Sequence, residues 1–157
     1  MKQFILSIFF LVSSIGFSQS INENLKQSIE TENIEELQKE LKNQNYTLNE
    51  CFQLKEKPYS LFALAIKLER EKIFSYLIEQ KADVNKICED KSPLMYAVKY
   101  GNLKFVKKLV EAGSNINLVN EEGQTAIDYA KKYEQKEILE YLQEFEEKTP
   151  IKKKDIH

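Results

Sequence analysis

The stretch from Ser92 to Asn117 constrains the fold of this chain more than any other part of it. Ser92 followed by Pro93 is typical of a helix start, because the Ser oxygen accepts from a free backbone N–H and Pro fits the first turn. Gly101 and Gly113 favour helix ends, since Gly readily adopts positive φ. Apolar residues at helical spacing lie between these signals, namely Leu94, Ala97, Val98, Leu103, Val106, Leu109 and Val110. The stretch therefore predicts two short helices joined by a tight turn.

Segments on both sides repeat this pattern. A pair of short helices cannot bury its own apolar face, so the unit needs stacked copies of itself. A shift of 32 residues lays Ser60 on Ser92, and a shift of 33 residues lays Thr125 on Ser92. The same shifts align Ala65, Ala97 and Ala130, and also Leu77, Leu109 and Leu142. This period resembles that of the ankyrin repeat family, and GQTAI at 123–127 is similar to its G-x-T-P-L opening, with Ala126 in place of Pro.

The resemblance implies an all-α fold, an ankyrin-repeat solenoid of about four helix-turn-helix repeats. The repeat domain is expected at 19–143, with repeats at about 22–50, 56–87, 88–120 and 121–143, and a polar, poorly ordered tail at 144–157. The first repeat is predicted to be a terminal cap, since its faces rich in Glu and Lys can meet water. Ser28 precedes its equivalent Ala65 by 37 residues, which predicts extra residues near Asn49 to Pro58. An unrelated helical bundle is the alternative.

Residues 1–18 have the pattern of a bacterial secretory signal peptide. Lys2 precedes an almost wholly apolar or small run from Phe4 to Phe17, which is too short to span a bilayer comfortably. Gly16 and Ser18 stand at the small-residue positions of a cleavage site, so cleavage is expected after Ser18. The prediction is a periplasmic or secreted protein with no membrane span in the mature chain. An uncleaved membrane anchor is the alternative.

The net charge disfavours nucleic acid as a partner. The full chain has a formal charge of −2, and removal of residues 1–18 takes away only the charge of Lys2, which leaves −3. Nucleic-acid-binding domains usually present a strongly basic face. We therefore expect the mature chain not to bind nucleic acid.

Residue patterns for catalysis, metals and cofactors are missing from the sequence. The one histidine, His157, is the last residue, which leaves Ser–His or Cys–His catalysis without a positioned base. No Cys/His cluster has zinc spacing, and the four glycines form no phosphate-binding loop. We predict no enzymatic activity, no catalytic residue, no metal and no cofactor.

The two cysteines, Cys51 and Cys88, fall in successive connections between repeats. An exported chain meets an oxidising compartment, in which a disulfide can form between them. Two free thiols are the alternative, and the geometry favours them slightly. Stacked repeats lie about 10 Å apart, whereas bridged Cα atoms lie within about 7 Å. The longer first connection can close that gap, so both states stay open.

The resemblance also implies where a partner binds. Ankyrin partners usually contact the hairpin tips and the exposed end of each first helix, which line a concave face. The equivalent first-helix positions here are Lys67, Leu68, Lys99, Tyr100, Lys132 and Tyr133. The equivalent hairpin positions are Lys57, Tyr59, Glu89, Lys91, Glu121, Glu122 and Gln124. Lysines beside aromatic residues favour protein recognition. In the alternative, these lysines only aid solubility, and Tyr100 and Tyr133 pack between repeats.

Charge is unevenly distributed along the predicted stack. The formal net charge is −4 for residues 19–50 and −3 for residues 119–157. It is +1 for residues 51–85 and +3 for residues 86–118. A partner of the middle repeats is therefore expected to be acidic. The prediction is an exported, monomeric protein-binding module that serves as an inhibitor, an immunity-type partner or an accessory factor. A small enzyme or ligand carrier that uses the concave cleft is the alternative.

Overall fold

A computed structural model describes residues 19–149. The predicted signal peptide and residues 150–157 of the predicted tail lie outside the described residues. Eight helices occur within 19–149: α1 (Glu23–Glu30), α2 (Ile34–Asn43), α3 (Leu61–Lys67), α4 (Glu71–Glu79), α5 (Pro93–Lys99), α6 (Leu103–Glu111), α7 (Ala126–Lys132) and α8 (Lys136–Lys148). Each odd-numbered helix contacts the helix that follows it. The structure thus consists mainly of the predicted helix-turn-helix units.

The first helices of the last three pairs begin in the same way. Ser60, Ser92 and Thr125 have extended backbones, and each side chain accepts a hydrogen bond from the backbone N–H three residues later. Pro93 occupies the first turn of α5, where its missing N–H costs nothing. These caps fix the start of each first helix at equivalent positions of the repeat.

The turn inside each pair contains one residue with positive φ. Gly101 takes this place in the third pair, at φ 67°. In the other pairs Glu32, Glu69 and Glu134 take it at φ 54–55°. A side chain makes this left-handed conformation unfavourable by about 1–2 kcal/mol. The packing of the two helices therefore imposes the turn even where the local sequence does not favour it.

The helices form two rows with the core between them. In the first-helix row α3 contacts α5 and α5 contacts α7, and in the second-helix row α2 contacts α4 and α6 contacts α8. Ala65, Ala97 and Ala130 are fully buried at equivalent positions of the first-helix row. Phe74 and Phe105 stack across neighbouring second helices, with ring centroids 4.4 Å apart. Burial of apolar surface between stacked pairs is the main stabilising contribution.

The fold also contains a small sheet, so the all-α prediction needs correction. β1 (Gln19–Ser20) is parallel to β2 (Cys51–Leu54), and β2 is antiparallel to β3 (Lys57–Ser60). The extra residues expected near 49–58 form the β2–β3 hairpin, with Lys55 at φ 58° in its turn. The insertion forms strands because the backbone N–H and C=O groups of a packed connection need hydrogen-bond partners.

A disulfide joins Cys51 to Cys88, with their Cα atoms 5.7 Å apart. The preference for free thiols is therefore wrong. The β2–β3 hairpin places Cys51 beside the next inter-repeat connection. The two cysteines therefore lie closer together than the spacing between stacked helices predicts. Asn49 Oδ1 also accepts a hydrogen bond from the backbone N–H of Asp83 at 2.8 Å. Together these contacts hold the first two inter-repeat connections side by side.

Helix α8 is longer than predicted. It ends at Lys148 rather than near 143, so the predicted tail begins too early. Ile138 and Leu142 are buried and Phe145 packs against the core, which continues the helical spacing of apolar residues. None of the helices in the described range is long and apolar enough to cross a membrane.

Candidate binding surface

Three lysines lie in the last turn of consecutive first helices: Lys67 in α3, Lys99 in α5 and Lys132 in α7. A cation at this end interacts favourably with the helix dipole. Because α3 contacts α5 and α5 contacts α7, the three helix ends form a row. We call these lysines, together with Tyr100 and Tyr133, the Lys–Tyr strip.

Each lysine of the strip lies against a tyrosine ring. Lys67 Nζ is 4.4 Å from the ring centroid of Tyr59 and donates a hydrogen bond to Tyr59 Oη at 3.0 Å. The other two pairs are Lys99 with Tyr100 and Lys132 with Tyr129, with Nζ 5.9 Å from the centroid in each. The face of an aromatic ring attracts a cation but carries no net charge. These contacts therefore hold the ammonium groups without neutralising them.

The three lysines have no carboxylate within ion-pair distance among residues 19–149. Other lysines of the same surface are paired. Lys57 Nζ, for example, lies 2.6 Å from Glu89 Oε1. A row of uncompensated cations produces a positive potential that attracts acidic groups.

Tyr96 and Tyr129 support the strip and were not predicted as part of it. Both are buried. The Tyr96 ring lies 6.4 Å from the Tyr100 ring and nearly parallel to it, and the Tyr129 ring lies 5.8 Å from the Tyr133 ring. Their spacing is the signal that could have revealed them. They are 33 residues apart, and each precedes an exposed tyrosine by four residues, which places both rings on one helical face.

The buried tyrosines do not contribute charge to the surface. Burial raises the pKa of Tyr96, and the nearby Glu89 carboxylate raises it further. Burial also raises the pKa of Tyr129, whose Oη accepts a hydrogen bond from Asn120 Nδ2 at 3.3 Å. Both hydroxyls stay neutral at physiological pH, so the positive charge of the strip comes from its lysines.

The predicted contact residues of the first-helix ends differ in accessibility. Tyr100 is 43% exposed and Tyr133 is 36% exposed, so both offer ring surface to a partner. Leu68 is half-buried against the core. Tyr59 is only 7% exposed. Tyr59 therefore supports Lys67 through its ring and hydroxyl, and its contact with a partner stays a prediction.

The predicted hairpin residues surround this row. Glu89 is an exposed residue whose backbone has a φ of 62°. Its carboxylate forms an ion pair with Lys57. Lys91 is half-buried, with Nζ 3.7 Å from Asp90 Oδ2. Glu121 is exposed, and its backbone N–H donates to Asp90 Oδ1 at 2.7 Å. The backbone of Glu121 is thus fixed on the preceding connection while the residue itself stays exposed.

Asn120 organises the last connection and was not predicted. Its buried side chain accepts from the backbone N–H groups of Glu122 and Gln124, at 3.1 and 2.7 Å. Its Nδ2 donates to Asp90 Oδ2 at 3.2 Å, which links this connection to the preceding one. Glu122 stays exposed and Gln124 half-buried. A buried Asn just before two exposed Glu residues carries too weak a sequence signal to be found in advance.

The described residues assemble a charged, aromatic surface. Within 19–149 no group of His, Cys, Asp and Glu side chains is arranged to hold a metal ion. His157 lies outside the described residues. Convergent lysines and exposed tyrosines are residue types suited to contacts with another macromolecule.

Stacked helix pairs with recurring side chains at one helix end define a helical repeat protein of the solenoid class. A family model described as ankyrin repeats (3 copies) matches residues 25–120 and 62–155. A protein of Borreliella burgdorferi described as an ankyrin repeat protein is 31% identical over 106 residues, which cover 65% of this chain and 24% of that relative. The chain belongs to the ankyrin repeat family, as its repeat pattern predicted. Such repeats are generally non-enzymatic modules for protein–protein interaction.

The chain spans about a quarter of the length of this relative.

Proposed function

We propose that this chain is an exported protein-interaction module that binds an acidic protein through the Lys–Tyr strip, on the concave face of a stack of four ankyrin repeats. One observation carries the proposal. Lys67, Lys99 and Lys132 recur at equivalent positions, each lies against a tyrosine, and none has a carboxylate partner within 19–149. An acidic surface would supply the missing partners.

The lysines and the tyrosines of the strip have different tasks in this binding. Uncompensated lysines steer an acidic partner toward the strip and raise the association rate constant. Tyr100 and Tyr133 supply apolar contact area with a polar hydroxyl, which is typical of residues that dominate binding energy. Tyr100 is already stacked on Tyr96, so binding orders its side chain at little entropic cost.

Export is supported by two independent features. Residues 1–18 have the signal-peptide pattern, and the Cys51–Cys88 disulfide suits an oxidising compartment such as the periplasm. The partner is then an envelope or secreted protein. By covering a surface of that protein, the module acts as an inhibitor or as an accessory factor.

Affinity capture from the envelope fraction of the native cells tests this function. Three baits are compared, each comprising residues 19–157: the unchanged chain, the triple variant Lys99→Glu, Lys132→Glu, Tyr100→Ala, and Lys107→Glu as a matched control. Lys107 is exposed on α6 in the second-helix row, away from the strip. Quantitative mass spectrometry should find an acidic protein that the unchanged and control baits retain and the triple variant loses. Equal capture by all three baits would place the binding surface elsewhere.

A further inference from the structure

The β2–β3 hairpin gives the first-helix row a wall that the later connections do not have. The first connection is longer than the next, since 37 rather than 32 residues separate equivalent positions. Three kinds of contact fix the hairpin. β1 pairs with β2, the disulfide joins Cys51 to Cys88, and Lys57 forms an ion pair with Glu89. The hairpin is therefore a firmly held element rather than a loose insertion.

A groove of about 630 Å³ lies between this hairpin and helix α1. Leu54 and Tyr59 supply apolar surface in it, and both pack with the hydrophobic core. The remaining lining residues are charged, and they are Lys26, Glu30, Lys55, Glu56, Lys57 and Lys67. A volume of this size is in the usual range of binding clefts, about 300–1,000 Å³.

The free charge of the groove is positive. Lys26 is paired with Glu23, at 3.0 Å, and Lys57 is paired with Glu89. Lys55 and Lys67 have no carboxylate within ion-pair distance among the residues that the structure describes. Lys67 is directed by Tyr59, whose hydroxyl accepts its hydrogen bond at 3.0 Å. Within residues 19–149, two uncompensated ammonium groups and one unpaired carboxylate, that of Glu56, thus stand beside an apolar floor, and the free charge of the groove is net positive.

We propose that this groove anchors an extended acidic segment of the partner, in which a carboxylate side chain alternates with an apolar one. The carboxylates pair with Lys67 and Lys55, and the apolar side chain lies on Leu54 and Tyr59. Charge complementarity selects the acidic residues. The apolar floor distinguishes such a peptide from a small inorganic anion, which would gain nothing from Leu54.

This inference rests on the proposed function, because it places the first contact of the same acidic partner at the hairpin end of the Lys–Tyr strip. It goes beyond the repeat architecture, since the groove exists only where the hairpin insertion stands. Lys67 belongs both to the strip and to the groove. Lys55 belongs to the groove alone, whereas Lys132 belongs to the strip alone. These memberships allow the two sites to be tested separately.

The test is fluorescence polarisation with a labelled synthetic peptide of alternating Glu and Leu. Two comparison peptides replace every Glu by Gln or every Leu by Ser. The unchanged chain should bind the Glu–Leu peptide at least about tenfold more tightly than either comparison peptide, a difference of about 1.4 kcal/mol. Lys67→Gln and Lys55→Gln should each weaken binding about threefold to tenfold. Lys107→Gln, a change on α6 outside both the groove and the strip, should leave the dissociation constant unchanged.

Three results would overturn the groove as the anchoring site. They are absence of binding to the unchanged chain, equal weakening by Lys67→Gln, Lys55→Gln and Lys107→Gln, and binding to anionic phospholipid vesicles that competes fully with the peptide. The outcome is separable from that of the proposed function. If the triple variant loses the captured protein but the unchanged chain does not bind the peptide, only the groove is refuted. If the peptide binds in the groove but the triple variant still captures the protein, only the strip is refuted.

Discussion

Small residues determine how closely the helices of this molecule approach each other. Ala65, Ala97 and Ala130 are fully buried, and Ser28 takes the equivalent place in the first pair at 1% exposure. The Ser28 hydroxyl donates to the backbone C=O of Leu25 at 2.7 Å, so its burial leaves no unsatisfied group. No side chain larger than these fits this position without moving a helix, because protein interiors are close-packed.

Substitutions in this core should reduce the free energy of unfolding, either by overpacking or by cavity formation. Ala97→Leu should overpack the helix junction and cost about 1–3 kcal/mol. Leu109→Ala should leave a cavity between pairs and cost about 2–5 kcal/mol. Urea unfolding measures both, with Lys107→Ala as the exposed control. A midpoint unchanged by both core substitutions would contradict the assigned packing.

The capping box at the start of α7 should make stability depend on acid pH. Asp128 accepts hydrogen bonds from the backbone N–H and hydroxyl of Thr125, at 2.9 and 2.8 Å, and the backbone bond is the main cause that lowers the pKa of Asp128. A lowered folded-state pKa stabilises the fold above the unfolded value of about 3.9. This stabilisation is lost as pH falls through the folded-state pKa.

The Asp128→Asn variant should therefore unfold at lower urea concentration than the unchanged chain at pH 7. The difference between the two midpoints should shrink below about pH 4, where the carboxylate becomes protonated. Because the Asp128 side chain is about half exposed, salt should reduce the difference as well. A pH-independent difference would assign the effect to helix propensity rather than to the charge.

At the scale of elements, the pattern of helices could be predicted, and the connections could not. The caps Ser60, Ser92 and Thr125 and the apolar stripes follow local rules, so their spacing predicts the helix pairs. The β2–β3 hairpin depends on pairing with β1, whose residues lie far away in sequence. The burial of Tyr59 follows from that hairpin. The regular repeat spacing takes no account of this hairpin, and for that reason it led to the wrong preference for free thiols at Cys51 and Cys88.

Removal of the disulfide should destabilise the first half of the stack. Closing a loop between residues 37 apart in sequence restricts the unfolded chain by about 3–4 kcal/mol in the chain-entropy model. Cys51→Ser with Cys88→Ser should lower the free energy of unfolding by about that amount. Reduction of the unchanged chain should lower its melting temperature, whereas the double variant should not respond to the reductant. Equal melting temperatures with and without reductant in the unchanged chain would contradict a stabilising bridge.

At the scale of the whole molecule, the row of equivalent helix ends was predicted, and its role in binding stays a prediction. Equivalent repeat positions predicted the row formed by Lys67, Lys99 and Lys132, because stacking converts periodic residues into neighbours. The support from Tyr96 and Tyr129 and the groove beside the hairpin depend on side-chain packing and strand pairing. The spacing of the two tyrosines could have indicated their equivalence, but their support of the strip and the groove could not be predicted from periodicity alone.

Export predicts a specific mature chain. Cleavage after Ser18 would leave Gln19 as the first residue, since Gly16 and Ser18 are the small residues that signal peptidases require. Intact-mass measurement of the protein from the periplasmic or secreted fraction should give the mass of residues 19–157 with one disulfide. A full-length species embedded in the membrane would contradict export.

The most direct test of the account is the binding kinetics of the captured partner, measured at low and at physiological salt. Lys99→Glu with Lys132→Glu should slow association and flatten its salt dependence, since these lysines steer encounter. Tyr100→Ala should mainly speed dissociation, costing about 2 kcal/mol of binding free energy. Circular dichroism should first show that every variant folds as the unchanged chain does, and Lys107→Glu serves as the control for a charge reversal outside the strip. If the triple variant Lys99→Glu, Lys132→Glu, Tyr100→Ala binds with unchanged affinity, the Lys–Tyr strip is not the binding surface.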